Sequence, residues 1–201
     1  MSNNIEILAV GDISYSRDIK KYIETCNNND YKSALIYVKK YLQNSDKTIG
    51  NLETVISDNG YKNKYQSNFP YFRSSEQSIE GLKDSGIDIV NLANNHINDF
   101  GELALNDTIF NLENNGIDTI GIKPKSYKIY NIKSKKIGFI GFARYFKRLE
   151  EEKKINKLDY DLNILKELRE KVDILIVNVH WGREYKFLNS DKQKNKAVEL
   201  V

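Results

Sequence analysis

The feature that most constrains this chain is what stands at the end of its apolar runs. Stretches of strand length stop, one after another, at Gly11-Asp12, at Glu53, at Asn94-Asn95-His96 and at His180-Trp181-Gly182. Between them the apolar period alternates between two and about 3.6, the mark of strands interleaved with helices, so the fold class is α/β. Residues 5–10, 47–52, 88–93 and 172–179 read as buried strands, the last being the most apolar. Parallel strands bring their carboxyl ends to one edge of a sheet, where such folds place ligands. Four strands would thus deliver Asp12, Glu53, Asn95 with His96, and His180 to one crevice. Both histidines of the chain fall at these ends.

The remaining elements fit the same alternation. Residues 17–42 read as helix interrupted by the turn formers Asn27-Asn28-Asn29-Asp30. A polar loop runs to Tyr71, Ser75 is placed to cap a helix that stops at Gly86, and a helix over 101–115 stops at Gly116. A strand over 117–122 precedes a hairpin, 127–133 and 136–142, joined by Ser134-Lys135. A charged connector over 144–157 leads to a helix at about 159–171. Ser190 opens a last helix, with Gln193 completing a capping box. No linker-like or repeated segment divides the 201 residues, so residues 1–201 read as a single domain.

Composition narrows the function. One cysteine excludes an internal disulfide or a cysteine-based zinc site, and Cys26 at a polar turn reads as inert. A net charge of +3 is too small to imply nucleic-acid binding, and the lysines at 123–136 read as a solvated face. The N-terminus lacks a basic leader, and no run approaches the ~20 apolar residues of a membrane span. A soluble, cytoplasmic chain is therefore expected. P-loop, dinucleotide, nucleophile-elbow and His-Glu-x-x-His motifs are absent.

Carboxylate, amide oxygen and imidazole together suit a borderline divalent cation; Mn, Fe(II) and Zn all fit. Two ions clamping a phosphoryl transfer share a carboxylate, and Glu53 is the obvious bridge. His96 directly follows Asn95, and neighbours on a tight loop do not easily reach one ion together, so His96 is expected on the substrate as a catalytic group. Asp99 reads as the N-cap of the helix at Gly101.

At these residues the sequence resembles the CapA family, the poly-gamma-glutamate capsule biosynthesis proteins of the calcineurin-like metallophosphoesterase superfamily. The matches run in order: Val10-Gly11-Asp12, Asn51-Leu52-Glu53, Leu92-Ala93-Asn94-Asn95-His96 with Asp99 and Gly101, and Val179-His180-Trp181-Gly182 with Glu184-Tyr185. Phe72-Arg73 and the segment Ile137-Gly138-Phe139-Ile140-Gly141 are also similar to the family. The resemblance implies a two-sheet sandwich flanked by helices, with Asp12 on one metal, Glu53 bridging, and Asn95 and His180 on the second. It further implies His96 on the scissile phosphate, Arg73 on substrate, and a phosphoester or polyanionic substrate with capsule-synthesis partners. Family members are often envelope-associated. The family's last metal motif, Gly-His-x-Pro-His, does not occur in these 201 residues, so the expectation is a C-terminally truncated domain that binds metal weakly. A non-enzymatic accessory protein holding a polyanion is the competing expectation.

Overall fold

Sheets covered on both faces need apolar side chains on both sides of each strand, and that need organises this molecule. The computed structural model describes residues 4–62, 70–144, 154–158 and 161–200. The first sheet is parallel throughout, with β1 (Ile7–Ile13), β2 (Lys47–Leu52), β5 (Ile89–Asn91) and β6 (Asp118–Ile120) in the order β1-β2-β5-β6. Two short strands, β3 (Val55–Ile56) and β4 (Arg73–Ser74), pair in parallel beside it. The second sheet is β7 (Tyr127–Ile132), β8 (Lys135–Ala143) and β9 (Ile174–His180), with β8 antiparallel to β7 and parallel to β9.

Helices supply the outer layers. α1 (Arg17–Cys26) and α2 (Ile36–Leu42) join β1 to β2, α3 (Ser78–Ser85) leads into β5, and α4 (Gly101–Asn114) leads into β6. α5 (Leu162–Arg169) and α6 (Asp191–Leu200) flank the second sheet. Leu52, Val90 and Leu92 point to Ile23, Leu82, Leu105 and Leu112 of the first helical layer. Ile49, Ile89 and Ile120 point the other way and meet Ile137 and Phe139 of the second sheet. Ile140 and Phe142, on the far side of β8, pack with Leu168 and Val172. The layers are helix, sheet, sheet, helix, which is the flanked sandwich expected.

Several boundaries differ from the sequence reading. β1 continues through Gly11 and Asp12 to Ile13, with one extra residue between Ala9 and Asp12 relative to the partner strand. Such a bulge turns the end of a strand and re-aims its side chains. Helix α3 begins at Ser78, because Ser75 closes the preceding turn, its hydroxyl accepting from Gln77 N–H and its carbonyl from Ser78 N–H. Gly86 ends α3 with φ +93°, where a side chain is disfavoured. β1 and β9 are not buried strands but half-exposed edges, one for each sheet. The loop before Tyr71, the connector after Arg144 and the start of the helix expected at 159 fall partly outside the described residues.

Candidate functional site

The strand ends build a polar floor before any chemistry is considered. Parallel register sets Asp12 of β1 opposite Asn51 of β2, and Asn51 opposite Asn91 of β5. Asn51 donates through Nδ2 to Asp12 Oδ1 at 2.7 Å, while its Oδ1 accepts from Asn91 Nδ2 at 3.2 Å and Asn94 Nδ2 at 3.3 Å. Asn91 Nδ2 also reaches Asn178 Oδ1 of β9 at 3.0 Å, tying the two sheets together. The approach is tight: a Cβ at Gly121 or Gly141 would overlap Asn91 Oδ1. Buried amides so fully paired fix the strand ends in place.

On β9, Ile176, Asn178 and His180 alternate onto the face that looks at the first sheet. His180 therefore meets residues from three strand ends of the other sheet. Its Nδ1 lies 3.3 Å from Asp12 Oδ1 and 3.0 Å from Asn51 Nδ2. Its Nε2 lies 2.9 Å from Asn95 Oδ1 and 3.5 Å from Glu53 Oε1. The hydrogen bond with His180, helped by Asn51, holds the Asp12 carboxyl below its ordinary range despite partial burial. Burial pushes the Glu53 carboxyl up.

His96 is nearly buried in the wall of the same cleft. Its ring stacks on Phe72, with centroids 3.8 Å apart and planes 11° from parallel. Nδ1 is 2.8 Å from Asp99 Oδ2, leaving Nε2 to face Glu53 Oε1 at 3.9 Å. Asp99 is fully buried and its Oδ2 also accepts from Phe72 N–H at 2.7 Å. The N-cap reading of Asp99 is thus corrected: Phe100 holds the cap position without a side-chain cap bond, and Asp99 instead orients the imidazole. The spacing His-x-x-Asp within one turn was the available signal. Asn51 was also missed as a site residue, because an asparagine inside a strand has no distinctive pattern.

Asp12, Glu53, Asn95, His96 and His180 all line one open cleft of about 480 Å³. Arg73 does not line it. Its guanidinium lies 3.6 Å above the Phe100 ring and donates from Nη2 to the carbonyls of Asn59 and Gly60, at 2.6 and 3.2 Å. Those contacts fix a loop, so the substrate role expected for Arg73 is not supported by where it sits. Arg17, read from sequence only as a helix start, lines the cleft instead.

The donors around His180 Nε2 can be tested against a metal. Ligands held at about 2.0–2.2 Å from one ion stand about 3.0–3.4 Å from each other in octahedral or tetrahedral arrangements. The separations of 2.9 and 3.5 Å from Nε2 to Asn95 and Glu53 are of that size. Among the described residues no group of three or more His, Cys, Asp and Glu is placed to hold an ion. The third donor here is an amide oxygen, so the set fits a cation only with Asn95 included.

Comparison with known proteins agrees with the fold. The family model described as bacterial capsule synthesis protein PGA_cap matches residues 6–201. The chain is 26% identical to the capsule biosynthesis protein CapA of Bacillus anthracis, over all of this chain and 52% of that protein. It is also 26% identical to the PGA biosynthesis protein CapA of Bacillus subtilis, over 94% of this chain and 52% of that one. The chain thus spans about half the length of the curated relatives it matches. A crystal structure of a phosphatase from Mycoplasma pneumoniae superposes over 100% of this chain and 61% of that one, with a TM-score of 0.54 and 19% identity. That likeness shows a shared fold.

Proposed function

The chain belongs to the bacterial capsule synthesis protein family PGA_cap, and on that premise we propose that it serves capsule biosynthesis as a divalent-metal-dependent phosphoesterase. We read residues 1–201 as one domain of this kind. The observation that carries the reading is His180: it leaves the second sheet to stand within 3.5 Å of Asp12, Glu53 and Asn95 from the first. Three donors from three strand ends of one sheet have no structural need to meet on one imidazole of the other.

In this reading Asp12, Glu53, Asn95 and His180 would hold divalent metal of Mn, Fe or Zn type. A cation bound there supplies Lewis-acid stabilisation of charge on a phosphoryl oxygen. The protein's own residues do the rest. Asn51 fixes the Asp12 carboxylate by donating to Oδ1. Asp99 accepts from Nδ1–H of His96, so that Nε2 faces the cleft, where the imidazolium form can give its Nε2 proton to a leaving oxygen and become neutral. Phe72 holds the imidazole plane by stacking. The capsule-synthesis proteins are the proposed partners, and a phosphoester on or near a polyanion is the proposed substrate class.

Mn²⁺-dependent hydrolysis of bis(p-nitrophenyl) phosphate, measured together with bound metal, tests the assignment. His180→Ala should lose both metal and turnover. His96→Ala should keep its metal while turnover falls by about 10²–10⁴, the usual worth of a positioned proton donor. Wild-type protein that holds Mn²⁺ but turns over nothing, while still binding capsule-synthesis proteins, would favour the accessory role instead.

A further inference from the structure

Arg17 is one of six described residues other than glycine that hold a positive φ. Its φ is +56°, in the left-handed region that residues other than glycine enter at a cost. Tyr185 of the same cleft shares that region at φ +59°, as do Lys133 and Ser134 around the turn between β7 and β8, so the case for Arg17 is made by its side chain. Arg17 lines the cleft that holds Asp12, Glu53 and both imidazoles. Its contact is the Phe72 ring, 6.0 Å from the centroid, and that same ring stacks on His96. Among the described residues neither Arg17 nor Arg183, the two arginines that line the cleft, makes an ion pair or a hydrogen bond through its guanidinium, and Arg17 is the one set against Phe72. An uncommitted planar cation beside the proposed proton donor is suited to fork-like recognition of two oxygens on one anion.

We infer that Arg17 is the anion-recognition residue of this cleft, binding non-bridging oxygens of the phosphoryl group to be cleaved. The inference rests on the phosphoesterase reading and deepens it, by assigning substrate affinity to a residue outside the metal donors. Phe72 couples the two roles, since it bears on both the cation and the proton donor.

Inorganic phosphate is the probe, and Trp181, the chain's one tryptophan, lines the cleft and reports occupancy by fluorescence. Mn²⁺ affinity is followed separately by calorimetry. Arg17→Gln should weaken phosphate about 10- to 100-fold, the effect of removing one or two charge-assisted hydrogen bonds, and leave Mn²⁺ affinity unchanged. Arg17→Lys should recover only part of the loss, because an ammonium cannot make the fork. Arg17→Gly should bind phosphate as poorly as Arg17→Gln yet melt no lower than wild type, since glycine is at ease at φ +56°. Equal phosphate affinity in wild type and Arg17→Gln would overturn the inference. So would parallel loss of phosphate and Mn²⁺, or wild-type protein that binds Mn²⁺ but no phosphate. Failure of wild type to bind Mn²⁺ would strike the metal reading alone. In that event, phosphate affinity in EDTA that depends on Arg17 upholds the inference, and its absence overturns it.

Discussion

Glu53 shows how one residue can trade stability for function. Burial raises its carboxyl above the ordinary range, so the folded protein holds that proton more tightly than the unfolded chain does. Its contribution is fully present below the unfolded value and is lost as pH rises through the folded one. At neutral pH the ionised side chain therefore costs the metal-free protein stability, and a cation would offset that cost. Glu53→Gln should raise the thermal midpoint in EDTA at pH 7, have little effect near pH 4, and abolish any rise on adding Mn²⁺. A lower midpoint in EDTA at pH 7 would show that the carboxylate is not strained there. The identity of such residues was legible where they follow an apolar run, as with Asp12, Glu53, Asn95 and His180. Arg17 was not, because a positive φ leaves no trace in composition, and Asp99 left only the His-x-x-Asp spacing, which an Asp before a helix masks by looking like a cap.

Strands and helices set where those residues can go, and the amide row Asp12-Asn51-Asn91 shows how closely they must fit. Asn91 binds Asn51 below the site and Asn178 across the sheets, and Gly141 of β8 passes against its amide oxygen. Gly141→Ala should force Asn91 aside, destabilising the fold by about 1–3 kcal/mol, the common range for overpacking. Because Asn51 would lose a partner, Mn²⁺ binding should weaken as well; urea unfolding and calorimetry on one sample check both. Unchanged stability would mean that Asn91 has room the structure does not give it. At this scale the alternation of strands with helices was legible, as were the helix stops at Gly86 and Gly116 and the capping box of Ser190 and Gln193. The end of β1 was not. The apolar run stops at Gly11-Asp12, and the bulge that keeps these residues in the strand arises from pairing with β2.

For the molecule as a whole, the decisive fact is that the candidate site belongs to neither sheet. Asp12, Glu53 and Asn95 end strands of the first, His180 ends an edge strand of the second, and the core between them is Ile49, Ile89, Ile120, Ile137 and Phe139. Packing of those side chains is what holds the imidazole against the carboxylates. The sequence pattern placed polar groups at four strand ends, yet nothing local says which sheet a strand joins, since pairing partners lie far apart in the chain. Membership of the capsule synthesis family supports the same architecture without locating the donors. Anomalous diffraction from crystals soaked in Mn²⁺ tests the joint directly. The account predicts a peak within bonding distance of His180 Nε2, Asn95 Oδ1 and a Glu53 oxygen together; the absence of any peak that joins His180 to donors of the first sheet would contradict it.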